Sequence, residues 1–279
     1  MSEPQSYDRA VFFISDRTGI TAEMMGHSLL TQFDALDFEQ INLPFIDSEE
    51  KAQNAVIRIN QAAALYHKKP LVFSTLIKPK VTHLINQSQG IVFDLLNTFI
   101  HPLEEELGIH SAYAVGRTHG MGSYATYKMR IDALNFSLNN DDGNTLRNFP
   151  EADLILIGVS RCGKTPTCLY LSLQYGILAA NYPLIDEDLE RSTLPPELEP
   201  YRHKLFGLTI APERLQQIRT ERRPDSQYAE YQQCQYEVNA AEKIFRAQQI
   251  PWLDTSAVSI EEITVTILQS SGLKRRLHG

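Results

Sequence analysis

Short apolar runs alternate with longer segments of helical period in the first part of the chain. The apolar runs, rich in β-branched and aromatic residues, predict strands at residues 10–15, 39–44, 71–74 and 91–94. The segments between them predict helices at residues 21–32, 49–67 and 79–88. This alternation is typical of a parallel sheet with helical crossovers.

A second alternation follows an interruption between residues 110 and 150. The interruption holds a polar loop at 117–123, a predicted helix at 124–139 and a turn-rich stretch at 139–144. Beyond it the pattern predicts strand 154–159, helix 165–175, strands 178–181 and 204–210, helices 212–222 and 226–249, strand 252–254 and helix 259–271. The sequence therefore predicts an α/β fold of two parallel-sheet units. Residues 1–148 form the N-terminal domain with the connecting segment, and residues 149–279 form the C-terminal domain.

The strand at 154–159 opens into a G-x-x-x-x-G-K-[ST] motif at residues 158–165. Glycines let the backbone curl so that N–H groups point at phosphate oxygens, and the following helix adds its positive end. Lys164 would reach the outer phosphates, and the Thr165 hydroxyl would ligate Mg²⁺. The motif predicts a P-loop kinase-like C-terminal domain with these nucleotide-binding residues: Gly158, Val159, Ser160, Arg161, Cys162, Gly163, Lys164 and Thr165. The alternative is a glycine-bearing turn with a surface lysine.

Motifs outside residues 158–165 are needed to distinguish between the classes of P-loop protein. The only D-x-x-G near a strand end, at residues 16–19, precedes the motif, and the chain has no N-K-x-D, so a GTPase is disfavoured. Asp186 and Asp254 are the candidate Walker B acids, because each lies near a strand end. The cluster Arg219, Arg222 and Arg223 suits either the mobile cations of a small-metabolite kinase or a solvated helix face.

Polar residues follow the first strand: Ser15, Asp16, Thr18 and Gly19. Parallel α/β sheets place ligand loops at the carboxyl ends of their strands, so this segment is a candidate substrate or phosphate site. A simple βα turn with Thr21 as the helix N-cap is the structural alternative.

Asp141 and Asp142 lie on a turn just before the strand of the motif. Adjacent carboxylates can act as a metal ligand and as the general base for a hydroxyl, although such turns are often purely structural. Upstream, Arg117 and His119 add a cation and a titratable imidazole, and they are candidates for contacts with phosphate. Cys162 lies among N–H groups that lower a thiol pKa, so it is either oxidation-sensitive or a small loop residue.

Composition narrows the class of protein. The net charge of −8 makes the molecule a poor reader of nucleic-acid backbones. Three scattered cysteines are too few for a disulfide framework or a four-ligand zinc site. The polar segment 1–9 lacks the apolar core of a signal peptide, and no apolar run approaches the length of a membrane span. We therefore expect a reducing, cytoplasmic setting. A homodimer is possible, but no motif in the sequence indicates one.

Taken together, these segments resemble the pyruvate, phosphate dikinase regulatory family, in its branch of bacterial phosphoenolpyruvate synthase regulatory proteins. The resemblance spans nearly the whole chain and rests on residues 14–23 (ISDRTGITAE), 117–120, 130–143, 158–171 (GVSRCGKTPTCLYL), 179–183, 204–212 and 250–252. The pair Cys162–Gly163 is similar to the synthase-directed branch. One departure is Asn140, where many relatives have a histidine before the paired aspartates.

The resemblance implies a bifunctional serine/threonine kinase that uses ADP as phosphoryl donor and inactivates phosphoenolpyruvate synthase by phosphorylating a threonine. It also implies a pyrophosphorylase activity, in which inorganic phosphate removes that group as pyrophosphate. Joined to the motif, this gives a hypothesis in which Lys164 and Arg161 neutralise charge and Asp141 or Asp142 accepts the threonine proton. A P-loop small-metabolite kinase and a non-catalytic nucleotide sensor are the alternatives.

Overall fold

The computed structural model describes residues 7–112, 124–141, 146–191 and 193–273. The chain divides into two compact units, Met1–Gly120 and Met121–Gly279. Within the described ranges, no helix is both long enough and apolar enough to cross a membrane.

The N-terminal unit contains a four-stranded parallel sheet. Its strands are β1 (Arg9–Ile14), β2 (Phe38–Leu43), β3 (Leu71–Ser74) and β4 (Ile91–Asp94). They lie in the order β2-β1-β3-β4, with Phe12 opposite both Ile41 and Val72. The chain order reverses between β1 and β3, so the loops that follow these two strands meet at a topological switch point.

Four helices flank this sheet: α1 (Ile20–Leu30), α2 (Glu49–Tyr66), α3 (Pro79–Asn86) and α4 (Asn97–Leu107). Successive residues of a strand face opposite sides, so β1 contributes to two cores. Phe12 packs in the core that also holds Ile59 of α2 and Ile85 of α3, whereas Phe13 packs with Leu30 of α1. Helix α4 was not predicted; it carries Pro102 inside and buries no side chain.

The C-terminal unit is a second parallel sheet with helical crossovers. Its strands are β5 (Leu154–Gly158), β6 (Ala179–Pro183), β7 (Leu205–Thr209) and β8 (Trp252–Asp254), in the order β6-β5-β7-β8. Its helices are α5 (Tyr124–Asn139), α6 (Lys164–Tyr175), α7 (Asp186–Arg191), α8 (Pro212–Arg222), α9 (Tyr231–Gln248) and α10 (Ile260–Ser271). Helices α5 and α10 pack against α6, while α7 and α8 pack against α9. The predicted α/β class with two parallel sheets is confirmed.

Further details differ from the prediction, among them helix α7, which was not predicted. Helix α5, predicted as part of a connecting segment ending at residue 148, packs in the C-terminal unit, where the Ser137 hydroxyl donates to the carbonyl of Ala179. The division at Gly120 therefore differs from the predicted boundary at 148/149. Helix α9 begins at Tyr231 and not at residue 226, because Gln227–Ala229 form a separate 3₁₀ turn.

Candidate functional site

The loop between β5 and α6, called here the glycine loop (residues 158–165), depends on two glycines with positive φ. Gly158 has φ of 156° and lies so close to the carbonyl oxygen of Leu208 that an added Cβ would overlap it. Gly163 has φ of 93° and is the N-cap of α6. Only glycine adopts such backbone angles without strain, so these two residues allow the tight curl of the loop.

Lys164 closes the glycine loop from inside. Its side chain is buried, and Nζ donates to the carbonyl oxygens of Gly158 at 3.0 Å and Val159 at 2.8 Å. The ammonium therefore lies at the base of a small cavity of about 210 Å³, which we call the loop cavity. Its lining consists of Ser160, Arg161, Gly163, Lys164, Thr165 and Pro166.

The first turn of α6 supplies N–H groups to this cavity. The first intrahelical hydrogen bond at this end runs from the Thr167 N–H to the Gly163 carbonyl, at 3.2 Å. The N–H groups of Lys164 and Thr165 precede that bond, and Pro166 has no N–H to leave unsatisfied. A curled loop, a helix N-terminus and a buried ammonium can together hold an anionic group such as phosphate.

A carboxylate lies on the far side of Thr165. The Thr165 hydroxyl donates to Oδ1 of Asp141 at 2.8 Å, and Nδ2 of Asn181 donates to the same carboxylate oxygen. Asn181 also contacts the Thr165 hydroxyl at 3.3 Å. The structure thus brings together two predicted residues, Asp141 and Thr165, with Asn181 of β6, which was not predicted as a site residue.

Asn140 holds this group together through its backbone. Its carbonyl accepts from the N–H of Asn181 at 3.2 Å, while its buried side chain donates to the Phe136 carbonyl at 2.7 Å. The asparagine therefore ties the end of α5 to β6.

On its other side the glycine loop contacts a fully buried arginine, Arg219 of α8. Its guanidinium pairs with both carboxylate oxygens of Glu237, at 2.9 and 2.6 Å, and donates to the carbonyls of Ser160 at 3.2 Å and Tyr228 at 3.0 Å. Burial alone would lower the pKa of Arg219, but the hydrogen bond and charge of Glu237 outweigh it and raise that pKa. The cation is thus a structural support of the loop.

A larger cavity of about 660 Å³, called here the flank cavity, adjoins the loop at Ser160. It lies between the segment that follows β6 and the segment around Tyr228 with α9. Its lining consists of Ser160, Pro183, Leu184, Ile185, Asp186, Glu190, Gln227, Tyr228, Gln233, Tyr236 and Glu237. Ser160 lines both cavities, and its hydroxyl lies 2.9 Å from that of Tyr228.

Three expectations for this unit need correction. Cys162 is buried, and burial raises the pKa of its thiol, so the expected lowering by N–H groups is wrong. Arg219 is an internal ion-pair partner, not a mobile cation. The carboxylate beside Thr165 is Asp141, whereas Asp186 is an exposed residue at the start of α7 and Asp254 accepts from the N–H of Ser256.

The N-terminal candidates lie in the other unit. Ser15 and Asp16 are buried after β1, Thr18 is exposed, and Gly19 (φ 82°) is the N-cap of α1, so Thr21 lies inside the helix. Burial raises the pKa of Asp16, whose Oδ2 is buried without a hydrogen-bond partner among the described atoms. The other predicted residues, Arg117, His119 and Asp142, lie outside the described residues.

Fold and site define an α/β protein with a curled glycine loop, suited to an anionic group, at the carboxyl end of a buried parallel strand. The kinase/pyrophosphorylase family matches residues 11–268 of the chain. The chain belongs to this family, which confirms the resemblance drawn from the sequence and makes the protein a phosphotransferase-type enzyme.

Relatives of high similarity cover almost the whole chain. A protein of Marinobacter nauticus is 51% identical over 267 residues, covering 96% of this chain and 98% of its own length. One of Legionella pneumophila (strain Corby) is 52% identical, covering 96% of this chain and 99% of its own length. One of Bordetella parapertussis is 51% identical, with coverages of 96% and 98%. All three carry the name "putative phosphoenolpyruvate synthase regulatory protein".

Proposed function

We propose that this chain is a bifunctional enzyme acting on a threonine of phosphoenolpyruvate synthase. As a serine/threonine kinase it uses ADP to phosphorylate and inactivate the synthase, and as a pyrophosphorylase it uses inorganic phosphate to restore it. Family membership and the names of the relatives support this function. The observation that carries the proposal is the hydrogen bond between Thr165 and Asp141 at the edge of the glycine loop.

The loop cavity is the proposed site for the phosphates of ADP. The buried Lys164 lines it, and the first residues of α6, whose N–H groups have no partner within the helix, line the same space. Arg161 lines the cavity from an exposed position, so its guanidinium can approach the transferred group. Positive groups already in place stabilise the charge that develops during transfer.

The oxygen atoms around Thr165 suit a magnesium ion. The Thr165 hydroxyl donates a hydrogen bond to Asp141 and accepts one from Asn181, which leaves one lone pair of its oxygen for a cation, and the carboxylate of Asp141 is a preferred hard ligand. The residues that would hold Mg²⁺ are therefore Thr165 and Asp141, oriented by Asn181. When bound, the ion would neutralise charge on the transferred phosphoryl group.

In the kinase direction the threonine hydroxyl oxygen of the synthase forms a bond to the β-phosphorus of ADP. The bond from that phosphorus to the bridging oxygen breaks, and AMP leaves. The hydroxyl proton goes to a carboxylate, for which Asp141 and its neighbour Asp142 are the candidates. Asp141 receives two hydrogen bonds at Oδ1, so Oδ2 is the oxygen that would take the proton.

In the reverse direction an oxygen of inorganic phosphate attacks the phosphorus of the phosphothreonine. The bond from phosphorus to the threonine oxygen breaks and pyrophosphate forms, while the proton that the attacking phosphate loses passes to the threonine oxygen. Pyrophosphate fills the same two phosphate positions as ADP, so one loop cavity can serve both reactions. Arg117 and His119 remain candidates for positioning the attacking phosphate.

The test incubates the purified protein with phosphoenolpyruvate synthase, Mg²⁺ and ADP labelled on its β-phosphate. We expect label on a synthase threonine, and its release as pyrophosphate after inorganic phosphate is added. Transfer from ATP to a small metabolite instead would favour a metabolite kinase. Tight ADP binding with no transfer in either direction would favour a nucleotide sensor.

A pair of lysine variants links the result to the glycine loop. Lys164→Met should abolish both reactions, because it removes the ammonium at the base of the loop cavity. Lys204→Met is the matched control, since Lys204 also donates to two backbone carbonyls of the same unit, those of Phe149 and Pro150, away from the loop. Retention of both activities by Lys164→Met would refute the assignment.

A further inference from the structure

We propose that the flank cavity binds the acceptor segment of the partner protein, a hydroxyl-bearing polypeptide segment with positive charge. This inference rests on the proposed function and names the place where its protein substrate docks. The cavity is larger than the loop cavity, about 660 Å³ against 210 Å³, and its volume lies within the range of specific ligand sites.

The position of the flank cavity suits an acceptor. Ser160 lines both cavities, so a group in the flank cavity lies directly beside phosphates held in the loop cavity. Pro183 ends β6, the neighbour of β5, and with residues 184–186 it forms one wall at the carboxyl edge of the sheet. Acceptor and donor can thus meet at Ser160 without competing for one space, as transfer between two bound partners requires.

The charges of the residues that line the flank cavity indicate which class of ligand it binds. Asp186 and Glu190 line the cavity with exposed carboxylates, while the third acid, Glu237, is neutralised by Arg219. Lysine and arginine are absent from the described residues that line the cavity. Among the described residues neither carboxylate has an ion-pair partner. Two such exposed carboxylates repel the phosphates of a nucleotide and attract a cationic segment, so a protein substrate suits this wall better than a nucleotide does.

The wall opposite α7 is held rigidly. The guanidinium of Arg219 lies 4.0 Å from the ring centre of Tyr228, and the hydroxyl of Tyr228 contacts that of Ser160. Glu237 is fixed by two bonds from Arg219 and one from Gln233. A wall already held in its binding geometry loses little entropy when a peptide docks on it.

The experiment reverses the two acidic residues together, in the variant Asp186→Lys/Glu190→Lys. The KM for phosphoenolpyruvate synthase should rise by about tenfold or more, because like charges would face each other across the interface. The Kd for ADP, measured by calorimetry, should stay within about twofold, since neither residue lines the loop cavity. Glu187→Lys is the matched control, because Glu187 is an exposed acid in the same first turn of α7 but does not line the cavity.

The outcomes separate the two proposals. An unchanged KM in the double variant, or the same rise in Glu187→Lys, overturns the docking site while the proposed function stands. A changed Kd for ADP with unchanged KM also overturns it, because the cavity would then hold the nucleoside. A wild-type protein that transfers no phosphate to the synthase overturns the proposed function and the docking site with it.

Discussion

Replacing Arg219 by methionine should destabilise the C-terminal unit by about 3–5 kcal/mol, because the carboxylate of Glu237 would be left buried and unpaired. The structure gives the reason for so large an effect. The guanidinium is fully buried and holds both oxygens of Glu237 together with the carbonyls of Ser160 and Tyr228. Removal of the guanidinium leaves this carboxylate and these carbonyls buried. Each of them still pays the free-energy cost of losing water but no longer has a hydrogen bond that offsets it.

The double variant Arg219→Met/Glu237→Met should recover most of that loss, since replacing both partners of a buried pair by apolar residues is often close to neutral. Affinity for ADP should fall in both the single and the double variant, however, because the carbonyl of Ser160 lacks its donor and the glycine loop loses that anchor. Stability and nucleotide binding therefore separate in the double variant.

Urea unfolding followed by tryptophan fluorescence measures the free energy of unfolding of the C-terminal unit. Trp252, the single tryptophan of the chain, lies in β8 and reports on the C-terminal unit. Arg214→Met, on the same helix but exposed, is the control and should cost less than about 1 kcal/mol. A loss below about 1 kcal/mol in Arg219→Met, or no recovery in the double variant, would refute the reasoning.

Three further results are expected. Asp141→Asn should lower kcat in single-turnover transfer by about 100-fold or more with little change in unfolding midpoint, as removal of a general base predicts, and full activity would contradict that role. Gly158→Ala should destabilise the C-terminal unit by about 1–3 kcal/mol in urea, because its Cβ would overlap the Leu208 carbonyl. Burial raises the pKa of Asp16 above 3.8, so its ionisation costs stability as pH rises through the folded pKa. Asp16→Asn should therefore gain stability relative to wild type between about pH 4 and pH 7 in unfolding followed by circular dichroism, and an equal difference at both pH values would contradict this.

Local patterns predicted most of the fold. The runs 71–74 and 91–94 coincide with β3 and β4, because a short apolar segment between turns has few alternatives in an α/β chain. Helix α4 escaped prediction because it contains Pro102, has no side-chain N-cap and buries no residue, so the usual signals of a helix are missing. Helix α5 was predicted, but its packing against α6 is a tertiary contact that periodicity does not carry.

The site was predictable where its residues adjoin in sequence. The glycine loop is one continuous sequence motif, so its residues could be predicted from the sequence alone. Asn181 and Arg219 reach the loop from separate elements, 16 residues from Thr165 and 59 from Ser160. A polar residue in the buried strand β6 was a usable signal for Asn181. The sequence placed Arg219 in an exposed cluster with Arg222 and Arg223. Its burial could not be predicted, because its ion pair with Glu237 forms only through tertiary packing.

The two ends of the glycine loop, at Thr165 and at Ser160, are held by different residues, so we expect the two ends to have different roles. Thr165 is held by Asp141 and Asn181, groups that can also bind a cation or accept a proton, so changes there should alter kcat. Ser160 is held by Arg219 and faces the flank cavity, so changes there should alter how an acceptor meets the phosphates. Under the proposed function the enzyme works in both directions, and this arrangement suits it, because either partner can leave while the support of the other end remains.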